Sequence, residues 1–110
     1  MSLATASTVY TLFRATSLWH DAEIAIRHRE DTWSYGELLE IIDRLALVLR
    51  RLGLRQGDRL AILSGNRPEY TMLQLACARI GAIAACLNWR LASEELQHCI
   101  DTVTPEVFFV

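Results

Sequence analysis

The sequence predicts an α/β fold: an N-terminal β-hairpin followed by alternating helices and parallel strands. Three observations carry that expectation. From residue 34 onward, stretches of helical periodicity alternate with short apolar runs in the order helix, strand, helix, strand, helix, strand, the signature of crossovers onto a parallel sheet. The run "AIAACL" at 82–87 is apolar throughout rather than alternating, as in a strand covered on both faces. Short connections punctuated by Gly53, Gly57, Gly81 and Pro105 separate the segments.

Residues 8–19 are weakly amphipathic, with Val9, Leu12, Phe13 and Thr16 to one side, which predicts a short helix. "EIAIRHREDTWSY" alternates, placing Ile24 and Ile26 on one face and Ala25 and Arg27 on the other. Arg29-Glu30-Asp31 forms its polar turn before the aromatic Trp33 and Tyr35, the pattern of a hairpin. Ser34 and Glu37 form a Ser-x-x-Glu capping box that opens a helix. Its expected core stripe is Leu38, Ile42, Leu45, Leu49 and Leu52. Arg50 and Arg51 complement the negative end of that helix, and Gly53 supplies the left-handed residue that stops it.

A turn at Gln56-Gly57-Asp58 leads into a strand at 59–63. Asn66 reads as the next N-cap, with Pro68 early in a helix where its missing N–H costs little. Tyr70, Leu73, Cys77 and Ile80 recur at helical spacing before Gly81. Ser93 then opens a helix through Leu96, Ile100 and Val103, Pro105 ends it, and "EVFFV" reads as a buried strand. A chain that stops on bare apolar residues of a strand is expected to be the beginning of something longer.

The 110 residues fit one domain or part of one. Hydrophobic residues make up 52% and charged residues 22%, a globular composition. A net charge of −2 carries no basic footprint for nucleic acid. No run approaches the roughly 18 apolar residues of a membrane helix, and the opening "MSLATASTVYTLF" lacks the basic leader of a signal peptide. Cys77, Cys86 and Cys99 are scattered and form no Cys-x-x-Cys pair, which points to reduced thiols and a cytoplasmic location. His20, His28 and His98 are equally dispersed, so no metal site is expected.

Neither Gly-x-Gly-x-x-Gly nor a Walker-type Gly-x-x-x-x-Gly-Lys occurs, and there is no Gly-x-Ser-x-Gly elbow. "LSGNRPEY" places one glycine between a strand and a helix, a pattern better explained by an N-cap and a tight turn than by a phosphate cradle. Glu37, Glu40 and Asp43 fall on the polar side of their helix, as a solvated face. Glu94 and Glu95 sit in a first helical turn, where the macrodipole favours them. Asn88-Trp89-Arg90 is the exception. It follows the carboxyl end of an apolar strand, where α/β folds place ligands, and a guanidinium is well shaped for phosphate. The residues alone leave two readings open: an anion site, or Arg90 paired with Glu94 while Trp89 packs on a neighbour.

Several landmarks occur in a fixed order over residues 32–110. They are Trp33-Ser34-Tyr35 with Glu37-Leu38, Gly53 followed by Gly57-Asp58-Arg59, and Asn66 with Pro68-Glu69. Further on come Ala78-Arg79-Ile80-Gly81-Ala82 and Leu87-Asn88-x-Arg90-Leu91 with Glu94-Glu95-Leu96. Through them the chain resembles the N-terminal part of the AMP-forming acyl-CoA synthetases of the adenylate-forming superfamily. The resemblance implies a parent enzyme that uses ATP and Mg²⁺ to turn a carboxylic acid into an acyl-adenylate, then passes the acyl group to coenzyme A. It implies that Arg90 approaches a phosphate of coenzyme A and that Asn88 organises the turn; Trp89 stands where a proline is commoner. It divides the chain into an N-terminal arm with a short helix, 1–22, and the start of the AMP-binding domain, 23–110, truncated at its C-terminal end.

The family's phosphate loop, its adenine- and Mg²⁺-binding motifs and its mobile C-terminal domain would all lie downstream. The 110 residues are therefore expected to be scaffold without catalytic residues, inactive alone and binding no cofactor alone. A homo-oligomer is compatible with this reading. The rival expectation is a free-standing truncated α/β module that acts as an interaction or structural protein.

Overall fold

The computed structural model describes residues 3–63, 67–87, 93–103 and 107–109. In chain order the elements are α1 (Leu3–Trp19), β1 (Ile24–His28), β2 (Asp31–Ser34), α2 (Tyr35–Arg51) and β3 (Arg59–Leu63). They continue with α3 (Pro68–Ile80), β4 (Ile83–Leu87), α4 (Ser93–Val103) and β5 (Val107–Phe109). β1 and β2 form an antiparallel hairpin, and β3 lies between β4 and β5, parallel to both. The expected α/β class and its parallel order are what the chain adopts.

α2 shows how local chemistry defines an element. Ser34 is its N-cap: the Ser34 hydroxyl accepts the Glu37 N–H at 3.1 Å, and the Glu37 carboxylate accepts the Ser34 N–H at 3.1 Å. Both bonds satisfy donors that a helix start leaves orphaned. At the other end, Gly53 N–H donates to Arg50 O at 3.0 Å and Leu54 N–H to Leu49 O at 3.1 Å. With Gly53 at φ 100° this is a Schellman stop. Its hydrophobic partners, Leu49 and Leu54, are both buried. α3 ends the same way, with Gly81 at φ 75°, its N–H on Ala78 O, and Ala82 N–H on Cys77 O.

The core is one cluster in which Leu38, Ile42 and Leu49 of α2 meet Leu60 and Ile62 of β3 and Met72, Leu73, Ala76 and Cys77 of α3. Two members of the expected α2 stripe are corrected. Leu45 is half-buried, and Ala46 takes the deeper place. Leu52 is 64% exposed, because α2 ends at Arg51 and the Schellman turn delivers Leu54 to the core in its stead.

Other expectations shift as well. α1 begins at Leu3 rather than residue 8, since Leu3–Ser7 contains no helix breaker. Its packed side is Tyr10, Phe13 and Ser17, while Val9, Leu12 and Thr16 face solvent. In the hairpin a register shift between Ile24 and Ile26 breaks the alternation, leaving Ile24 exposed and Ala25 and Ile26 half-buried. The N-cap position of α3 is Arg67, extended and without a side-chain cap bond; Asn66, expected there, lies outside the described residues. Pro68 does occupy the first turn. Ile83, at the start of β4, is exposed rather than covered on both faces, as an edge strand allows.

Candidate functional site

The parallel register locates the edge at which ligands of α/β folds bind. Leu63 of β3 pairs with Leu87 of β4, and Ile62 also pairs with Phe109 of β5. The carboxyl ends of the strands are thus level, and the connections after β3 and β4 start from the same edge. Asn88 follows β4 directly in sequence. Asn88, Trp89 and Arg90 lie outside the described residues, so their side chains contribute no geometry.

Among the described residues, the polar cluster of greatest definition lies elsewhere, where α1, α2 and α3 meet. The Tyr10 hydroxyl donates to Asp43 Oδ1 at 2.6 Å, and Arg79 Nη1 lies 3.0 Å from the same oxygen. The Arg79 guanidinium carbon also sits 5.5 Å from the centre of the Tyr10 ring, within cation–π range. Burial pushes the Tyr10 hydroxyl above its ordinary value of 10.0, and the hydrogen bond to Asp43 and the charge of its carboxylate add to this. The guanidinium charges of Arg79 and Arg14 oppose the shift. Asp43 is committed to two donors from two other helices. It clasps helices rather than serving as an acid or base.

Asp43 therefore departs from the solvated face that its sequence position implies. Its partners are 33 and 36 residues away, beyond any helical spacing. Tyr10 on the packed side of α1 and Arg79 in the last turn of α3 carry no sequence signal that would join them. The other two carboxylates behave locally: Glu37 caps the helix, and Glu40 makes an exposed 3.9 Å pair with Arg44.

Arg50, Arg51 and Arg55 line a surface recess beside the end of α2. Arg55 Nη1 is already directed to Arg50 O at 2.7 Å and Leu54 O at 3.2 Å, so it serves the helix terminus. Cys77 is buried in the core. No group of three or more His, Cys, Asp or Glu among the described residues could hold a metal ion. No helix among them is long and apolar enough to cross a membrane.

Against known proteins, residues 12–110 match the AMP-binding enzyme family. The chain belongs to that family. An indoleacetate–CoA ligase of Aromatoleum aromaticum is 40% identical over 86 residues, 78% of this chain and 17% of the ligase. A feruloyl-CoA synthase of an Amycolatopsis species is 42% identical over 76 residues, 69% of this chain and 16% of the synthase. The chain thus spans about a sixth of the length of these relatives.

Among solved structures, the N-terminal subdomain of Klebsiella oxytoca NpsA, in complex with 3-hydroxybenzoyl-AMSN, aligns with a TM-score of 0.87 at 25% identity. The alignment covers 91% of this chain and 25% of that one. A fatty acyl CoA synthetase of Mycobacterium tuberculosis aligns with a TM-score of 0.87 at 26% identity, covering 91% of this chain and 20% of that chain. The fold is therefore that of part of the N-terminal domains of such enzymes.

The sequence holds no glycine-rich phosphate loop of the two familiar kinds. The described residues provide a capped helix layer against a parallel sheet; Asn88 and Arg90 follow β4 in sequence and lie outside them.

Proposed function

We propose that this chain is the N-terminal scaffold of an AMP-forming acid–thiol ligase. The parent enzyme activates a carboxylic acid with ATP and Mg²⁺ and transfers the acyl group to coenzyme A in the cytoplasm. The observation that carries the reading is the family match over residues 12–110 together with relatives that are CoA ligases. In this reading residues 1–22 are an arm and 23–110 the start of the AMP-binding domain. The chain supplies no catalytic residue and is inactive alone. Arg90 offers its guanidinium to a phosphate of coenzyme A from the carboxyl edge of the sheet, and Asn88 organises the turn.

The test is Arg90→Ala in the whole ligase, with the two half-reactions measured separately. Loss of one charge-assisted bond of about 1.5–3 kcal/mol predicts a KM for coenzyme A raised roughly 10- to 100-fold. Formation of the acyl-adenylate should stay near the parent rate. Equal loss in both half-reactions would remove Arg90 from the thiol site. A second reading, a free-standing interaction module, draws support from the self-contained core that joins α2, α3 and β3. Adenylate formation by the whole protein would dismiss it.

A further inference from the structure

α2 is apolar on two sides. Its inner side, Leu38, Ile42, Ala46 and Leu49, is the core. Its outer side carries Ile41, Leu45 and Val48, continued by Leu52 just past the last turn. That spacing of four, three, four is the seam pattern of one helix against another. Ile41 and Leu45 are half-buried against the core, whereas Val48 is 47% exposed and Leu52 64%, so the far half of the outer seam stands open. Beside it, Ile41, Leu45 and Val48 of α2 and Met72 and Leu73 of α3 line a groove of about 380 Å³ whose exposed lining is almost wholly apolar.

The groove carries one charge on each wall: Arg44 on α2 and Glu69 on α3. Arg44 makes an exposed 3.9 Å pair with Glu40, an interaction of small energy. Glu69 sits in the first turn of α3. Opposite charges on opposite walls of one apolar groove make a self-complementary surface. A twofold rotation sets the cation of each copy against the anion of the other.

We propose that this face is an interaction surface for a second copy of the chain, related by a twofold axis running along the groove. Val48 of each copy packs in the groove of the other, and Arg44 of each copy pairs with Glu69 of its mate. This proposal does not depend on the ligase reading. It is read from association rather than catalysis.

The test is sedimentation equilibrium of the 110-residue chain over a concentration series, with circular dichroism confirming the fold of each variant. The wild type should follow a monomer–dimer equilibrium. Val48→Asp places a carboxylate in the seam at an exposed position and should leave only monomer. Arg44→Glu and Glu69→Arg should each raise the dissociation constant about tenfold or more, since each creates two like-charge contacts across the axis. The double variant Arg44→Glu/Glu69→Arg exchanges the charges in both copies and should return the constant to within about threefold of wild type. A wild-type chain that stays monomeric throughout would overturn the proposal. So would a Val48→Asp chain that still dimerises, or a charge exchange that restores nothing.

Discussion

α1 and α2 have equal lengths, 17 residues each, and pack into the same domain, yet they are held in opposite ways. α2 is defined from within by a capping box, a Schellman stop and a buried stripe. α1 has no acidic residue in its first turn and no basic residue in its last, and its Leu12, Leu18 and Trp19 stand exposed, Trp19 at 84%. What fixes α1 is tertiary: Phe13 against the core and the Tyr10–Asp43–Arg79 clasp. A helix with local signals can be read in advance; one held by distant partners cannot.

The largest effect that sharpens this contrast lies in the α2 stripe. Ile42 is 0% exposed and central to the cluster, so Ile42→Ala should cost about 2–4 kcal/mol through lost transfer energy and a cavity. Leu52→Ala, at a position assigned to the same stripe by spacing, should change stability by less than about 0.5 kcal/mol. Urea denaturation of the two variants measures both. Equal losses would mean that Leu52 is buried and that the Schellman turn does not replace it with Leu54.

That pair of residues also shows what the sequence could convey. Periodicity located α2, and Ser34, Glu37 and Gly53 set its ends, because each of those signals acts over a few residues. Periodicity could not say that Ala46 would be deeper than Leu45, since side-chain burial follows the real 3.6-residue turn and the position of α3. The parallel order of β3, β4 and β5 was legible from alternation of element types. The register shift at Ile24 and the Tyr10–Asp43–Arg79 clasp were not, because both depend on partners distant in sequence or on the opposite strand. For the candidate site, the sheet edge was foreseen, while Asn88 and Arg90 lie outside the described residues.

The clasp gives a second, smaller effect, and one that depends on pH. Tyr10→Phe removes a bond to a charged acceptor and should cost about 1–2 kcal/mol at neutral pH. The loss should appear as faster hydrogen exchange in α1 before α2 is affected. The Tyr10 hydroxyl is raised above its ordinary 10.0, so folding favours its protonated form. Its contribution is complete below pH 10.0 and is lost as pH rises through the higher folded value. Stability of the wild type should therefore fall more steeply above pH 10 than that of Tyr10→Phe. Parallel alkaline curves would show that the hydroxyl does not hold α1 through Asp43.

The smallest effect belongs to the local cap. Ser34→Ala removes the acceptor of the Glu37 N–H and should cost about 1 kcal/mol, whereas Ser34→Gly should cost only a few tenths. The two variants separate a side-chain acceptor from mere backbone freedom at the same extended position, where φ is −74°. Exchange should quicken in the first turn of α2, at Gly36 and Glu37, and leave α1 untouched, since none of the clasp residues belongs to the cap. If Ser34→Ala instead loosens α1 as much as Tyr10→Phe does, the two helices are not held independently. The Gly36 N–H bond to Asp21 O at 2.9 Å, which ties the start of α2 to the segment just after α1, would then be the route by which the cap reaches the clasp.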